Sequence, residues 1–212
     1  MRRRTQKISP AVAFATAAFF ILFRSTGVSA QPLGPELTVV LINYSEASDA
    51  VVTQARRETS RIFSQSGIRL TWTHCPAVPK PDSAFACQGE PTPGQIRVRI
   101  LDRQLNNAFQ DSVFGFAIAP VFASVYYESA LRLAQTSSNS ESDVSTILGC
   151  LIAHEIGHLL LGHNHHTVNG IMQARWEIKQ IQQLTMGALA FTPEQSKLML
   201  VNAHLRTSAA GP

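Results

Sequence analysis

The sequence predicts a single α+β domain: a mixed sheet with a strand-helix-strand start, a central apolar helix that carries the chemistry, and a closing C-terminal helix. Three observations predict it. Apolar runs rich in β-branched residues near 37–43, 68–73, 96–101 and 121–127 read as strands. Ile147, Leu148, Leu151, Ile152, Ile156, Leu159 and Leu160 recur at helical spacing and give one helix a broad apolar face. Finally, 212 residues with 45% hydrophobic and 15% charged content suit one domain with a sizeable core.

The first thirty residues stand outside that domain. Arg2, Arg3, Arg4 and Lys7 form a basic start, Ala11 to Phe23 an apolar stretch, and Val28-Ser29-Ala30 a small-residue cleavage site. The expected division is therefore a signal peptide over 1–30 and the domain over 31–212, with export to the periplasm or outside the cell. Thirteen apolar residues fall short of the roughly 20 that span a bilayer, and no Cys follows Ala30 to take a lipid. Removing the signal also removes five of the eighteen basic residues. The whole-chain pI of 9.3 thus gives way to thirteen basic against fourteen acidic residues, a net charge of about −1. Nothing is left to attract nucleic acid or an anionic membrane surface.

From Leu37 the elements follow in order. Residues 37–43 form a first strand, Ser48 or Asp49 caps a helix to about Gln65, and Gly67 ends it. Residues 68–73 alternate as a second strand, which makes a parallel pair with a right-handed crossover. Cys75 and Cys87 bracket a Pro-rich loop (Pro76, Pro79, Pro81). In an oxidising compartment they read as a disulfide, the competing assignment being a metal site with His74. Residues 96–101 alternate again with Arg97 and Arg99 facing out. Phe114-Gly115-Phe116-Ala117 is either a short strand with a Gly bulge or a wall against the central helix. Val121 to Tyr127 is a firmer strand, and 128–142 a helix-to-linker passage rich in Ser. The central helix then starts at a Ser142 or Ser145 cap and stops at Gly162. Trp176 to Leu184 is weakly helical. Thr192 caps a last helix with Pro193 at its first position, running to about Leu205, with Leu198, Met199 and Val201 docking on the core.

The central helix carries His154-Glu155-Ile156-Gly157-His158. Four residues advance about 6 Å and about 40° around an α-helix, so His154 and His158 project one above the other from one face. Two imidazoles placed so can grip one cation. Glu155 flanks the same face, where it reaches a water beside the metal but is poorly placed as a third ligand. That ligand must come from beyond Gly162, where His163, His165 and His166 wait before Gly170-Ile171-Met172. Cys150, one turn before His154 on the ligand face, lies too far along the axis to share a metal with His158 and reads as a buried free thiol.

Residues 154–172 resemble the zincin signature and, within it, the metzincin pattern of H-E-x-x-H, a helix-ending Gly, a third His and a Met turn. Metzincin spacing puts Gly at 161 and His at 164, where this chain has Leu161 and Asn164. The stretch is more similar to a group of exported bacterial metallopeptidase-like proteins reading H-E-I-G-H-x-L-L-G-x-N-x-H, then G-I-M, Arg and Trp. Gly162, Asn164, His166, Gly170, Ile171, Met172, Arg175 and Trp176 then fall in register. The resemblance extends more loosely to Asn43-Tyr44, Ile62-Phe63, Ser66-Gly67-Ile68, Trp72, Cys75, Cys87 and 114–117. It implies a zincin-like domain with His166 as third ligand and His165 as its competitor, and Met172 as the apolar floor beneath the metal. It also implies that the strand nearest the metal helix is an edge for substrate backbone, for which 121–127 is the candidate, the alternative being an ordinary core strand.

Three imidazoles leave one tetrahedral position of Zn²⁺ for water, the arrangement of a catalytic site. The implied function is zinc-dependent hydrolysis of peptide bonds in a peptide or protein substrate, with Glu155 moving the proton. Several metzincin groups steady the oxyanion with a Tyr just after the Met turn. This chain has only Tyr44, Tyr126 and Tyr127, so Arg175 takes that place in the reading. Two rivals stand beside it. One is a non-enzymatic zinc buffer using His163, His165 and His166, which has no use for a carboxylate at 155. The other is a site with Glu177 or Glu194 as third ligand, which lacks a second helical motif.

Overall fold

Leu37, Val39 and Leu41 of β1 (Glu36–Asn43) are fully buried on the core face of the sheet, while Thr38 and Ile42 on the opposite face are half-buried and Val40 between them is covered. A computed structural model of the chain describes residues 34–78, 87, 89–103, 114–136, 141–162 and 165–209, with only the backbone of 141 and 142. The expected signal peptide, Pro79, Pro81, His163 and Asn164 lie outside those residues.

After β1 come α1 (Asp49–Gln65) and β2 (Arg69–Cys75), parallel to β1. Ser48, rather than Asp49, caps α1 by accepting from the Val51 amide at 3.3 Å. Gly67 turns the chain at φ +75°, a conformation that favours glycine. Next are β3 (Gln95–Leu101), β4 (Gly115–Ile118), β5 (Phe122–Tyr126), α2 (Tyr127–Ala134), α3 (Glu141–Leu161), α4 (Ile178–Thr185) and α5 (Pro193–Ala209). The sheet order is β2-β1-β3-β5-β4, with every neighbouring pair parallel except β4–β5. The expected mixed sheet, strand-helix-strand start, central helix and closing helix are all present. Cys75 and Cys87 are bonded, Cα–Cα 5.7 Å, and Cys150 is free and buried.

Several expectations change. Residues 121–127 do not form the edge: β5 pairs with β3 on one side and β4 on the other. Gly115–Ile118 is a strand, and the turn after it folds it back antiparallel, so β4 is the outermost strand among the described residues. Helix α3 already runs from Glu141, which leaves Ser142 and Ser145 inside it. It is also apolar enough to cross a bilayer by length and composition, yet 94% of that window is buried, so it is a core helix packed all round. Of the three apolar residues expected to dock α5, only Met199 is buried; Leu198 and Val201 are exposed. The buried line runs Gln195, Met199, Ala203 at four-residue steps. Arg97 and Arg99 alternate with the fully buried Ile96, Val98 and Ile100 as expected, yet are half-buried, and Arg97 donates to the Gly89 carbonyl in the excursion between β2 and β3.

Candidate metal centre

The site is built where α3, the loop after it and β4 meet. Facing imidazoles come first. His154 and His158 are 2% and 8% exposed, and their Nε2 atoms lie 3.1 Å apart. His154 Nδ1 lies 2.8 Å from the Ile171 carbonyl, and His158 Nδ1 lies 3.5 Å from that of Gly162, a weaker contact. A carbonyl only accepts, so the proton sits on Nδ1 and the Nε2 lone pair points inward. Two inward lone pairs at 3.1 Å repel each other and suit a cation between them. Ligand bonds of about 2.0–2.1 Å in a tetrahedron put two nitrogens about 3.4 Å apart, close to the separation found.

His166 completes the group. Its ring centroid is 5.5 Å from that of His154 and 4.8 Å from that of His158, and one ligand atom from each of the three lies within 4.8 Å of the others. His165 is exposed, lies against Gly162, and does not belong to the group. Gly162, at φ +102°, makes the sharp exit that leads the chain back across the helix. Glu177 caps α4 in a reciprocal box with Gln180, and Glu194 sits in the first turn of α5; neither joins the three histidines.

Backbone bonds hold the loop in place. The Ile171 amide donates to Ala190 at 2.8 Å and the Thr167 amide to Met172 at 2.9 Å. Thr167 also accepts from the side chain of buried Gln195, which in turn completes the Thr192 cap of α5. Sequence reading missed Gln195, since its partner lies 28 residues away. Met172 is fully buried under the metal helix: a Cβ on Gly157 would stand 2.7 Å from its sulfur and 2.9 Å from the Phe191 ring. Phe114 and Trp176 pack edge-on against the His154 ring at 5.4 and 6.1 Å.

Glu155 is 3% exposed, and its side chain runs along β4; a Cβ on Gly115 would meet its Cγ at 3.0 Å and the Ser124 carbonyl at 2.0 Å. Position 115 therefore holds a strand residue and a wall against the helix at once. Desolvation pushes the Glu155 carboxyl up to about 8 and His154 down to about 3, and lowers His166 from its shielded side. Low basicity keeps His154 in the neutral, ligating form, while a nearby dication would pull Glu155 back toward the carboxylate. Tyr126, at the end of β5, is raised by burial and then by the charge of Glu155, so a tyrosine does neighbour Glu155, from a strand rather than from the Met turn.

A cavity of about 330 Å³ opens on these groups, with Phe114 to Ala117 along one side and Ala174 and Arg175 along another. The Tyr126 amide donates to the Phe114 carbonyl, and the register runs Phe116↔Ser124 and Ile118↔Phe122. In an antiparallel ladder this alternation turns the N–H and C=O of Gly115 and Ala117 away from β5, toward the edge that is unpaired among the described residues.

No protein-family model and no curated protein matches the chain. Solved structures do. A zinc-dependent peptidase from Methanocorpusculum labreanum is similar at TM-score 0.55 and 14% identity, over 76% of this chain and 99% of that one. Archaemetzincin from Methanopyrus kandleri is similar at TM-score 0.50 and 16% identity, over 82% and 98%. The fold is zincin-like. At these identities the likeness speaks for architecture, and the chemistry rests on the side chains above.

Proposed function

We propose that the protein is an exported zinc-dependent peptidase that hydrolyses peptide bonds. The observation that carries this is the pairing of a three-imidazole group with a buried carboxyl that opens on the same cavity. His154, His158 and His166 would hold the ion, and the Ile171 carbonyl orients the first of them. Bound Zn²⁺ supplies Lewis acidity and makes a water acidic near neutral pH. Glu155 takes a proton from the attacking water as the oxygen–carbon bond forms. It then passes that proton to the nitrogen as the carbon–nitrogen bond breaks. The outward N–H and C=O groups of Gly115 and Ala117 hold the substrate backbone in extended form. Arg175 lines the cavity wall and is the residue assigned to steady a developing oxyanion.

Export rests on the leader over 1–30. Amino-terminal sequencing of the exported protein should begin at Gln31, and an intact Met1 would overturn that part. For the activity, the zinc-loaded mature chain is assayed on a broad peptide library beside Glu155→Gln at matched zinc occupancy. Hydrolysis in the parent alone is expected. Equal rates would remove Glu155 as the base, and no hydrolysis in either would leave a zinc-binding protein.

A further inference from the structure

We infer that the site selects an extended substrate whose alternate residues are apolar, read by Phe116 and Ile118 on the outer face of β4; this rests on the peptidase reading above. The two faces of β4 differ sharply. Gly115 and Ala117 turn their side-chain positions toward α3, where Gly115 abuts Glu155. Phe116 and Ile118 point the other way and are 38% and 52% exposed. Outer strands are ordinarily guarded by charge, proline or a bulge, because an open ladder with apolar side chains recruits another strand. Gly-Phe-Ala-Ile carries no charge, and its side away from β5, unpaired among the described residues, lies along the cavity that holds Glu155. The strand it recruits therefore lies across the catalytic groups, which makes the peptide substrate the occupant.

Pairing fixes what that substrate must look like. In a two-residue repeat, every second substrate side chain lies beside Phe116 or Ile118, where aromatic and β-branched partners are favoured. The intervening side chains face the cavity side, where Gly115 and Ala117 leave space and impose little. A patterned preference at positions two apart is the result, rather than one deep specificity pocket.

The test uses the full mature protein with zinc bound and Glu155→Gln to prevent turnover, and reads binding by fluorescence anisotropy. The probes are a labelled hexapeptide alternating Val and Gln, a blocked one ordered Val-Val-Gln-Gln-Val-Gln in which no two Val stand two apart, and the alternating peptide N-methylated at its ladder amides. The alternating peptide should bind best, and methylation should abolish binding. Adding Phe116→Thr and Ile118→Thr should weaken the alternating peptide about tenfold while barely moving the blocked one. Ile118→Lys alone, at a half-exposed position, serves if the double change disturbs folding. Equal binding of the two patterns, or affinity unmoved by the variants, overturns the inference. So does a protein that is dimeric until Ile118→Lys makes it monomeric, since β4 would then pair with a second copy. If the pattern holds but the parent cleaves nothing, the docking stands and the peptidase reading fails. Cleavage without alternation does the reverse.

Discussion

Helix α3 carries two buried polar groupings, and they are built to opposite ends. Toward its N-terminal half, Gly149 lets α1 approach so closely that a Cβ there would stand 2.6 Å from the Ala55 carbonyl. Glu58 of α1 then meets Arg61 in a two-pronged pair at 2.6 and 2.8 Å, with the Cys150 thiol 3.9 Å away. That carboxylate is satisfied, the Arg61 guanidinium is held above its ordinary value by it, and burial pushes the thiol well up into an inert form. One and a half turns on, Glu155 is as deeply buried but faces a cavity, and burial raises its carboxyl to about 8. A paired buried carboxylate holds helices together, whereas a buried carboxyl with a raised pKa on a cavity wall is a candidate for chemistry.

The largest expected contrast is in rate. Glu155→Gln should cost about 10² to 10⁴-fold in hydrolysis with zinc still bound, whereas Glu58→Gln should leave the rate per folded molecule unchanged. A loss of rate at Glu58 as large as at Glu155 would erase the distinction.

Zinc titration comes next. His154→Ala and His166→Ala should each weaken zinc by more than the roughly 10–100-fold typical of outer-shell partners, and His165→Ala should be mild. The reverse order at 165 and 166 would reassign the third ligand.

Stability against pH sharpens the contrast in metal-free protein. The folded Glu155 carboxyl is raised from 4.5 to about 8, so the unfolded chain ionises first and stability falls as pH rises through that window. The folded His154 is depressed from 6.5 to about 3, so stability falls as pH drops from 6.5 toward 3. The two slopes oppose each other between 4.5 and 6.5 and should leave a plateau there, with losses on the order of 2 kcal/mol on either flank, where only one of the two groups still titrates. Thermal unfolding in chelator should show it, and Glu155→Gln should remove the alkaline decline. A decline that survives in that variant would assign it to another group.

The smallest effect is expected at the paired carboxylate. Glu58→Ala should destabilise by about 1–3 kcal/mol, because Arg61 is 35% exposed and can turn to water once its partner is gone. Denaturant unfolding measures this, and a loss above 5 kcal/mol would mean Arg61 is trapped.

Spacing along one helix made His154, Glu155 and His158 readable from sequence, because an α-helix converts a four-residue step into a shared face whatever surrounds it. The strand-helix-strand start, the Ser48 cap, the Gly67 and Gly162 stops and the Cys75–Cys87 bond are similarly local, set by backbone preference or a short loop. Sequence alone determined most of the element types, though not the strand at 115–118, and the pair of imidazoles. What only the tertiary structure decided depends on where separate segments meet. The exchange of β4 for β5 at the sheet edge turns on strand pairing between residues four to ten apart, which alternation within either strand does not encode. The arrival of His166 rather than His165 beside the pair turns on a loop anchored to Ala190 and Gln195. The Glu155 pKa depends on Gly115 closing over it from the sheet, since desolvation belongs to the surroundings of a group and not to its place in the chain.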